Sequence, residues 1–379
     1  MAIGQRKTGE YQILGDTTYF IPYRQPPTNP ALIIDEKISF LYGEAMLHLG
    51  RLSEMTKKLP DTDRFIKAYI TKEALLSSSI EGIQTTLLDV FTQPLLTSRP
   101  NKETQLVLNY TKALSRSLDM IKKEGLPIAN RVILAAHKEL MSMGDGDSAN
   151  PGHFRSLGVR VGSLVPPPPQ EVSKLMAELE KFINDNDTLP PLIKAGLAHV
   201  QFETIHPFLD GNGRIGRLLI VLMLVESNIL SNAALYPSYY FKKHHLDYYR
   251  YLDRVRTDGD FEGWILFYLQ AIRDSSIDAY KRAVDIQKLI EELSEKIMQD
   301  KQFDSNRESR LKALSILFSF PVISINELST QLDMSYNTAN KIITNFVDLG
   351  FLSEETQQKR GKLYRLMPYF EVLQREYDI

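Results

Sequence analysis

From about residue 35 onward the apolar side chains recur at helix-face spacing, and that period constrains the fold more than any other feature of the chain. Ile38, Leu41, Tyr42, Leu47 and Leu49 open the pattern. Phe65, Tyr69, Ile70, Ala74 and Leu75 continue it, and Leu87, Leu88 and Val90 resume it beyond Gly82. The same spacing predicts helices over 103–123, 130–142, 170–185, 191–204, 215–227, 244–256 and 260–298. A mainly α fold follows, with 379 residues and 43% hydrophobic content enough for two or three domains. One stretch breaks the period. "FRSLGVRVGSLVPPPP" (154–169) alternates Val159 and Val161 with Arg160 and predicts a short β-hairpin, which Pro166 to Pro169 then stop.

Residues 1–31, rich in Gly, Pro, Thr and Tyr, read as an irregular leader. A polar stretch over 299–309 marks a boundary. Beyond it, helices over 309–318, 324–332 and 335–349 precede a hairpin around Lys359-Arg360-Gly361, the order of a winged helix-turn-helix. The net charge of -2 gives no overall pull toward nucleic acid or anionic lipid. With no cysteine, disulfides, thiolate catalysis and Cys-based metal sites are excluded, and a reducing compartment is the natural reading. "MAIGQRKTGEYQ" lacks the apolar region of a signal peptide, and the longest apolar run, "LLIVLMLV" at 218–225, is too short to span a bilayer. A cytoplasmic protein with no membrane partner is expected.

Chemistry concentrates in "HPFLDGNGRIGR", residues 206–217. Gly211-Asn-Gly213-Arg-Ile-Gly216 matches the dinucleotide fingerprint G-x-G-x-x-G, but no β-strand precedes it and no carboxylate follows at the required distance. The physical parts of a phosphate site are nonetheless present. Gly211, Asn212 and Gly213 let successive amides converge on an anion at the start of a helix. Arg214 and Arg217, three apart, share a face and offer forked donors. Asp210 is a hard ligand placed for a phosphate-bound Mg²⁺, and His206 can take a proton near neutral pH. Together these residues point to phosphoryl or nucleotidyl transfer.

The stretch 206–217 resembles the Fic signature HPFx[D/E]GNGRxxR at every specified position. The resemblance implies a Fic-type helical core in which AMP moves from ATP to a Ser, Thr or Tyr hydroxyl of a target protein, with pyrophosphate leaving. It implies His206 as general base and Asp210 as Mg²⁺ ligand. It further implies that Gly211, Asn212 and Gly213 cradle phosphate, Arg214 and Arg217 hold the β- and γ-phosphates, and Phe208 anchors the loop. "KEALLSSSIEGIQTTLLDV" resembles the inhibitory helix that some members carry in cis, which would pair Glu81 with Arg217 at the ATP site and include Ser77 and Gly82. Gly82 would end that helix in a left-handed conformation. "PGHFRSLGVRV" resembles the flap that clamps the target segment, and Tyr249, then Tyr248, would border the adenine.

The resemblance spans roughly residues 32–290. It divides the chain into a leader (1–31), an N-terminal helical region with the inhibitory helix (32–110), a catalytic core (111–298) and the C-terminal winged helix (306–379). That last segment carries nine Lys/Arg against nine Asp/Glu, which favours protein docking or a homodimer contact over DNA binding. Two other functions stay open. One is a DNA-binding regulator whose Fic core senses nucleotide; the other is an enzyme that mainly removes AMP from modified proteins.

Overall fold

The computed structural model describes residues 6–58, 62–96, 101–142, 150–299, 307–355 and 361–377. Two helices form its centre. α7 (Pro191–Ile205) and α8 (Asn212–Glu226) follow one another through a six-residue turn and pack together. Residues 192–205 of α7 are all buried, as is α8 from Arg214 to Val225. A helix that is apolar on every side must lie inside its domain. The run "LLIVLMLV" is therefore explained by the middle of α8, and among the described residues no helix is long and apolar enough to cross a membrane.

Around this pair lie α1 (Glu36–Lys58), α2 (Thr62–Ile80), α4 (Lys102–Lys122), α5 (Asn130–Leu140) and α6 (Pro169–Asn184), with the short α3 (Leu87–Thr92) between α2 and α4. The far side is closed by α9 (Ser238–Lys243), α10 (His245–Asp258) and α11 (Phe261–Gln299), and α1 runs along α11. At 39 residues, α11 extends about 58 Å at the usual helical rise. The expected helices agree with these within a few residues. The expected boundary at 110/111 does not hold as a structural division, because it falls inside the continuous α4. Buried apolar residues from Ile38 to Leu373 form one cluster.

Two expectations about β-structure are corrected. Within the supposed irregular leader, β1 (Gly9–Leu14) and β2 (Thr17–Pro22) pair antiparallel, from Gly9↔Pro22 to Leu14↔Thr17, around a Gly15-Asp16 tip. Phe20 is buried and its N–H donates to the Val165 carbonyl (2.9 Å), so this ribbon rests on the flap segment. The flap itself is less regular than expected. Its only pairing among the described residues is one antiparallel bridge, Val161↔Leu164. Three consecutive prolines, Pro166 to Pro168, supply no N–H donors, so a ladder cannot extend past that bridge.

The C-terminal part comprises α12 (Arg307–Ser319), β3 (Val322–Ser324), α13 (Ile325–Leu332), α14 (Tyr336–Asp348), β4 (Leu352–Glu354), β5 (Leu363–Leu366) and α15 (Met367–Gln374). Its strands form an antiparallel sheet in the order β3-β5-β4. Residues 300–306 of the expected boundary stretch (299–309) and the Lys359-Arg360 tip lie outside the described residues, while Gln299 ends α11 and 307–309 open α12. This part is bound to the rest through buried charge. Arg282 and Asp278 on α11 pair at 3.0 Å with both side chains at 0% exposure. The same guanidinium donates to the carbonyls of Val372 and Arg375 at the end of α15, while Tyr236 donates to Asp278. Arg282→Met should therefore leave a buried, unpaired carboxylate and lower the unfolding free energy by about 3–5 kcal/mol. Urea denaturation at neutral pH checks this; a loss under about 1 kcal/mol would mean that Asp278 finds another donor.

Candidate active site

The turn between α7 and α8 is closed by side chains bonding to backbone. His206 caps α7 with left-handed angles (φ 51°, ψ 62°), its N–H still donating to Phe202. Asn212 then ties the turn to itself: its Oδ1 accepts from the Phe208 N–H (2.8 Å) and its Nδ2 donates to the Phe208 carbonyl (2.9 Å). Both groups are buried, so each needs a partner. Phe208, fully buried, stacks on His137 of α5 with ring centres 3.7 Å apart. Gly152 donates to Nδ1 of His137, so Nε2 carries the proton and donates to the Asp210 carbonyl (3.1 Å). Burial pushes this imidazole down to about 4, keeping it neutral for that role.

Beyond Gly211, the left-handed N-cap, α8 opens with free amides. The Asn212 side chain is engaged with Phe208, which leaves its backbone N–H as the group that could meet a phosphate. Asp210 is exposed and accepts from the Gly211 N–H (2.5 Å). Arg214 is 3% exposed and reaches Asp210 at only 3.4 Å, leaving its Nε and Nη1 buried without a partner. Two orphaned guanidinium donors at a helix N-terminus define an anion site. Among the described residues no cluster of three His, Asp or Glu could hold a metal by itself. A divalent cation at Asp210 would thus need oxygens from a bound phosphate, the usual Mg²⁺ arrangement.

Arg217, one turn on, is fully buried and engaged through Nε and Nη2. Its Nε donates to Ser77 Oγ (2.9 Å), and Nη2 donates to the Ser77 carbonyl (3.0 Å) and to Glu81 Oε1 (2.6 Å). Burial disfavours the cation, but Glu81, with Tyr248 and Glu203, holds its pKa above the normal value. The end of α2 aims Glu81. Gly82 has φ +82°, its N–H bonds Ser79, and the Ile83 N–H bonds Ser78, the double closure of a helix stop that needs a left-handed residue. Gly213 leaves room for the carboxylate, because a Cβ there would stand 2.2 Å from Glu81 Oε1. Upstream on α2, buried Glu73 accepts from Ser238 (2.5 Å) and Tyr110 (3.2 Å), and burial raises its pKa to about 7. The helix is anchored on both sides of Ser77.

His206 is half-buried; burial pushes its imidazole down to about 4, with Arg155 and Arg256 adding to the effect and the Glu203 carbonyl and Glu81 opposing it. Of the two expected adenine neighbours, Tyr249 is 43% exposed and its hydroxyl feels Glu81. Tyr248 instead is buried, bonds His199 Nε2 (2.8 Å) and stacks on Phe241. Sequence reasoning missed His137, Arg155 and Glu203. Glu203 lies one turn before His206 on α7, buried, its Oε1 unpartnered and its pKa raised by burial to about 7. That spacing was the one available signal.

A buried helix start with unpartnered guanidinium donors, a half-buried imidazole before it and a carboxylate from a distant helix come together here. The chain belongs to the Fic/DOC family: residues 127–224 match the Fic/DOC family and residues 40–119 the Fic/DOC family N-terminal region. Protein adenylyltransferase Fic of Drosophila grimshawi is 30% identical over 266 residues, 68% of this chain and 52% of its own length. The Drosophila yakuba protein of that name is 30% identical over 178 residues, 46% of this chain and 32% of its own. The chain thus spans a third to a half of these relatives. A Fic family protein from Desulfovibrio desulfuricans G20, solved by crystallography, shares the fold with a TM-score of 0.56 at 24% identity, over 90% of this chain and 98% of that one.

The Asn212 tie predicts a measurable cost. Asn212→Ala should orphan the Phe208 N–H and carbonyl and destabilise the fold by about 1–3 kcal/mol. Chemical denaturation would read it, and an unchanged midpoint would show that the turn does not depend on the tie.

Proposed function

We propose that this protein transfers AMP from ATP to a hydroxyl side chain of a protein and that Glu81 restrains the reaction by occupying Arg217. The observation that carries the reading is the asymmetry of the two arginines: Arg214 is buried with two donors free, whereas Arg217 is closed by Ser77 and Glu81. The start of α8 and Arg214 would hold the α- and β-phosphates. The γ-phosphate would then compete with Glu81 for Arg217. His206, neutral across the physiological range, would take the proton of the acceptor hydroxyl as its oxygen attacks the α-phosphorus. The bond from that phosphorus to the bridging oxygen breaks, and pyrophosphate leaves. Mg²⁺, when bound with the nucleotide at Asp210, would neutralise charge on the departing phosphates.

Removal of AMP is the second reading, favoured by a carboxylate that stays part-exposed over Gly213, where it could orient water. For the C-terminal part we infer a winged helix-turn-helix, with α13 and α14 as the paired helices. Tyr336, Asn337, Thr338, Asn340 and Lys341 stand exposed on α14, but a lone cation on that face favours a protein partner over duplex DNA.

Variants separate these readings. Glu81→Gly should raise self-AMPylation from labelled ATP by at least about tenfold, which corresponds to ~1.4 kcal/mol of relieved misalignment. Adding Arg217→Ala should cancel most of the gain, as expected of residues that share one contact. His206→Ala should abolish transfer while the protein still binds ATP. A folded, ATP-binding Glu81→Gly protein with no gain in transfer would remove the inhibitory role and leave the hydrolytic one.

The pH profile tests the base. Because the free base is the active form and its pKa is depressed to about 4, transfer should stay level from about pH 8 to about pH 6 and fall only on approach to pH 4. An acid limb centred near about 6.5, the value of an ordinary imidazole, would contradict the burial argument.

A further inference from the structure

Arg155 stands at the foot of the flap and is 3% exposed. Among the described residues, every acceptor of its guanidinium is a backbone carbonyl. Nε donates to His206 (2.8 Å), Nη1 to Leu157 (3.1 Å), and Nη2 to Pro167 (2.5 Å) and more weakly to Ile205 (3.4 Å). Its own N–H donates to the Pro207 carbonyl (2.9 Å). Ile205 and His206 lie at the end of α7, where a helix leaves carbonyls without internal partners and presents its negative pole. Leu157 and Pro167 flank the flap bridge at Val161 and Leu164. One planar fork therefore ties both feet of the flap to the residue that carries the base. A lysine ammonium lacks the planar fork that spans these carbonyls.

We propose that Arg155 is the positioning residue of the catalytic turn, holding His206 in its left-handed conformation and keeping the flap in register with it. The proposal rests on AMP transfer as the reaction and adds to it a residue that touches neither nucleotide nor acceptor. A left-handed backbone at a residue other than glycine costs energy and persists only where its surroundings impose it. The fork on the His206 carbonyl supplies that constraint from outside the turn. The phosphate pocket lies on the other side, at the start of α8, so nucleotide affinity should be independent of Arg155.

The test places Arg155→Gln and Arg155→Lys in the Glu81→Gly protein. Self-AMPylation at saturating ATP should fall about a hundredfold in Arg155→Gln, the scale of loss when a reacting group shifts by about an ångström. Arg155→Lys, which keeps the cation, should lie between Gln and the parent. Affinity for a non-hydrolysable ATP analogue, measured by calorimetry, should stay within about twofold in both. Hydrogen exchange at the amides of 205–208 and 157–165 should accelerate while the rest of α7 and α8 stays protected. Turnover within about twofold of the parent, or analogue affinity falling in step with turnover, would overturn the proposal. If the Glu81→Gly parent binds the analogue but transfers no AMP, the reading of the reaction fails. Hydrogen exchange then decides on Arg155 alone, with unchanged exchange overturning it. Should Arg155→Gln fail to fold, Arg155→Lys carries both readouts.

Discussion

A fully buried guanidinium organises this protein. Arg217 sits within the buried run of α8, and its Nε and Nη2 donate to one serine and one carboxylate at the end of α2. A buried cation without such partners would be severely destabilising, so the position of α2 and the state of the phosphate site are linked. Glu73 fastens α2 from the other side through Ser238 and Tyr110. Residues far apart in sequence thereby meet over one helix start.

The turn before α8 shows how the chain supports a left-handed residue, His206. No regular pairing holds residues 206–211. Asn212 closes the turn from within, His137 stacks beneath Phe208 and bonds the Asp210 carbonyl, and Arg155 holds the His206 carbonyl from outside. Apart from that ring stack, each contact joins a side chain to backbone. Arg214 keeps two donors without a partner, and the His206 imidazole stays half-buried.

Much of this was legible in the sequence where a signal was long or dense. The long helices follow from sustained periodicity, and the site from a twelve-residue motif whose every part has a physical task. The reading failed where signals were short. "GEYQILGDTTYFIP" alternates around a Gly-Asp pair, a recognised hairpin turn, yet its Pro- and Thr-rich setting suggested irregular chain. "FRSLGVRVGSLV" alternates as well, but the prolines behind it confine pairing to one bridge. His137 and Arg155 gave no signal, and Glu203 only its spacing from His206, for another reason. Each lies tens of residues from its partner or inside an ordinary helix, and only packing brings it to the turn. The Asn212 side-chain tie to Phe208 was likewise hidden, because motif position says nothing of which way a side chain bonds.

The central claim is that Glu81 and a γ-phosphate compete for the same guanidinium. Calorimetric titration of the wild type and of Glu81→Gly with a non-hydrolysable ATP analogue, and in parallel with ADP, addresses it most directly. The account predicts that removing the carboxylate tightens binding of the triphosphate by about tenfold or more and leaves ADP nearly unchanged, since ADP has no γ-phosphate to place on Arg217. Equal tightening of both nucleotides, or of neither, would contradict it.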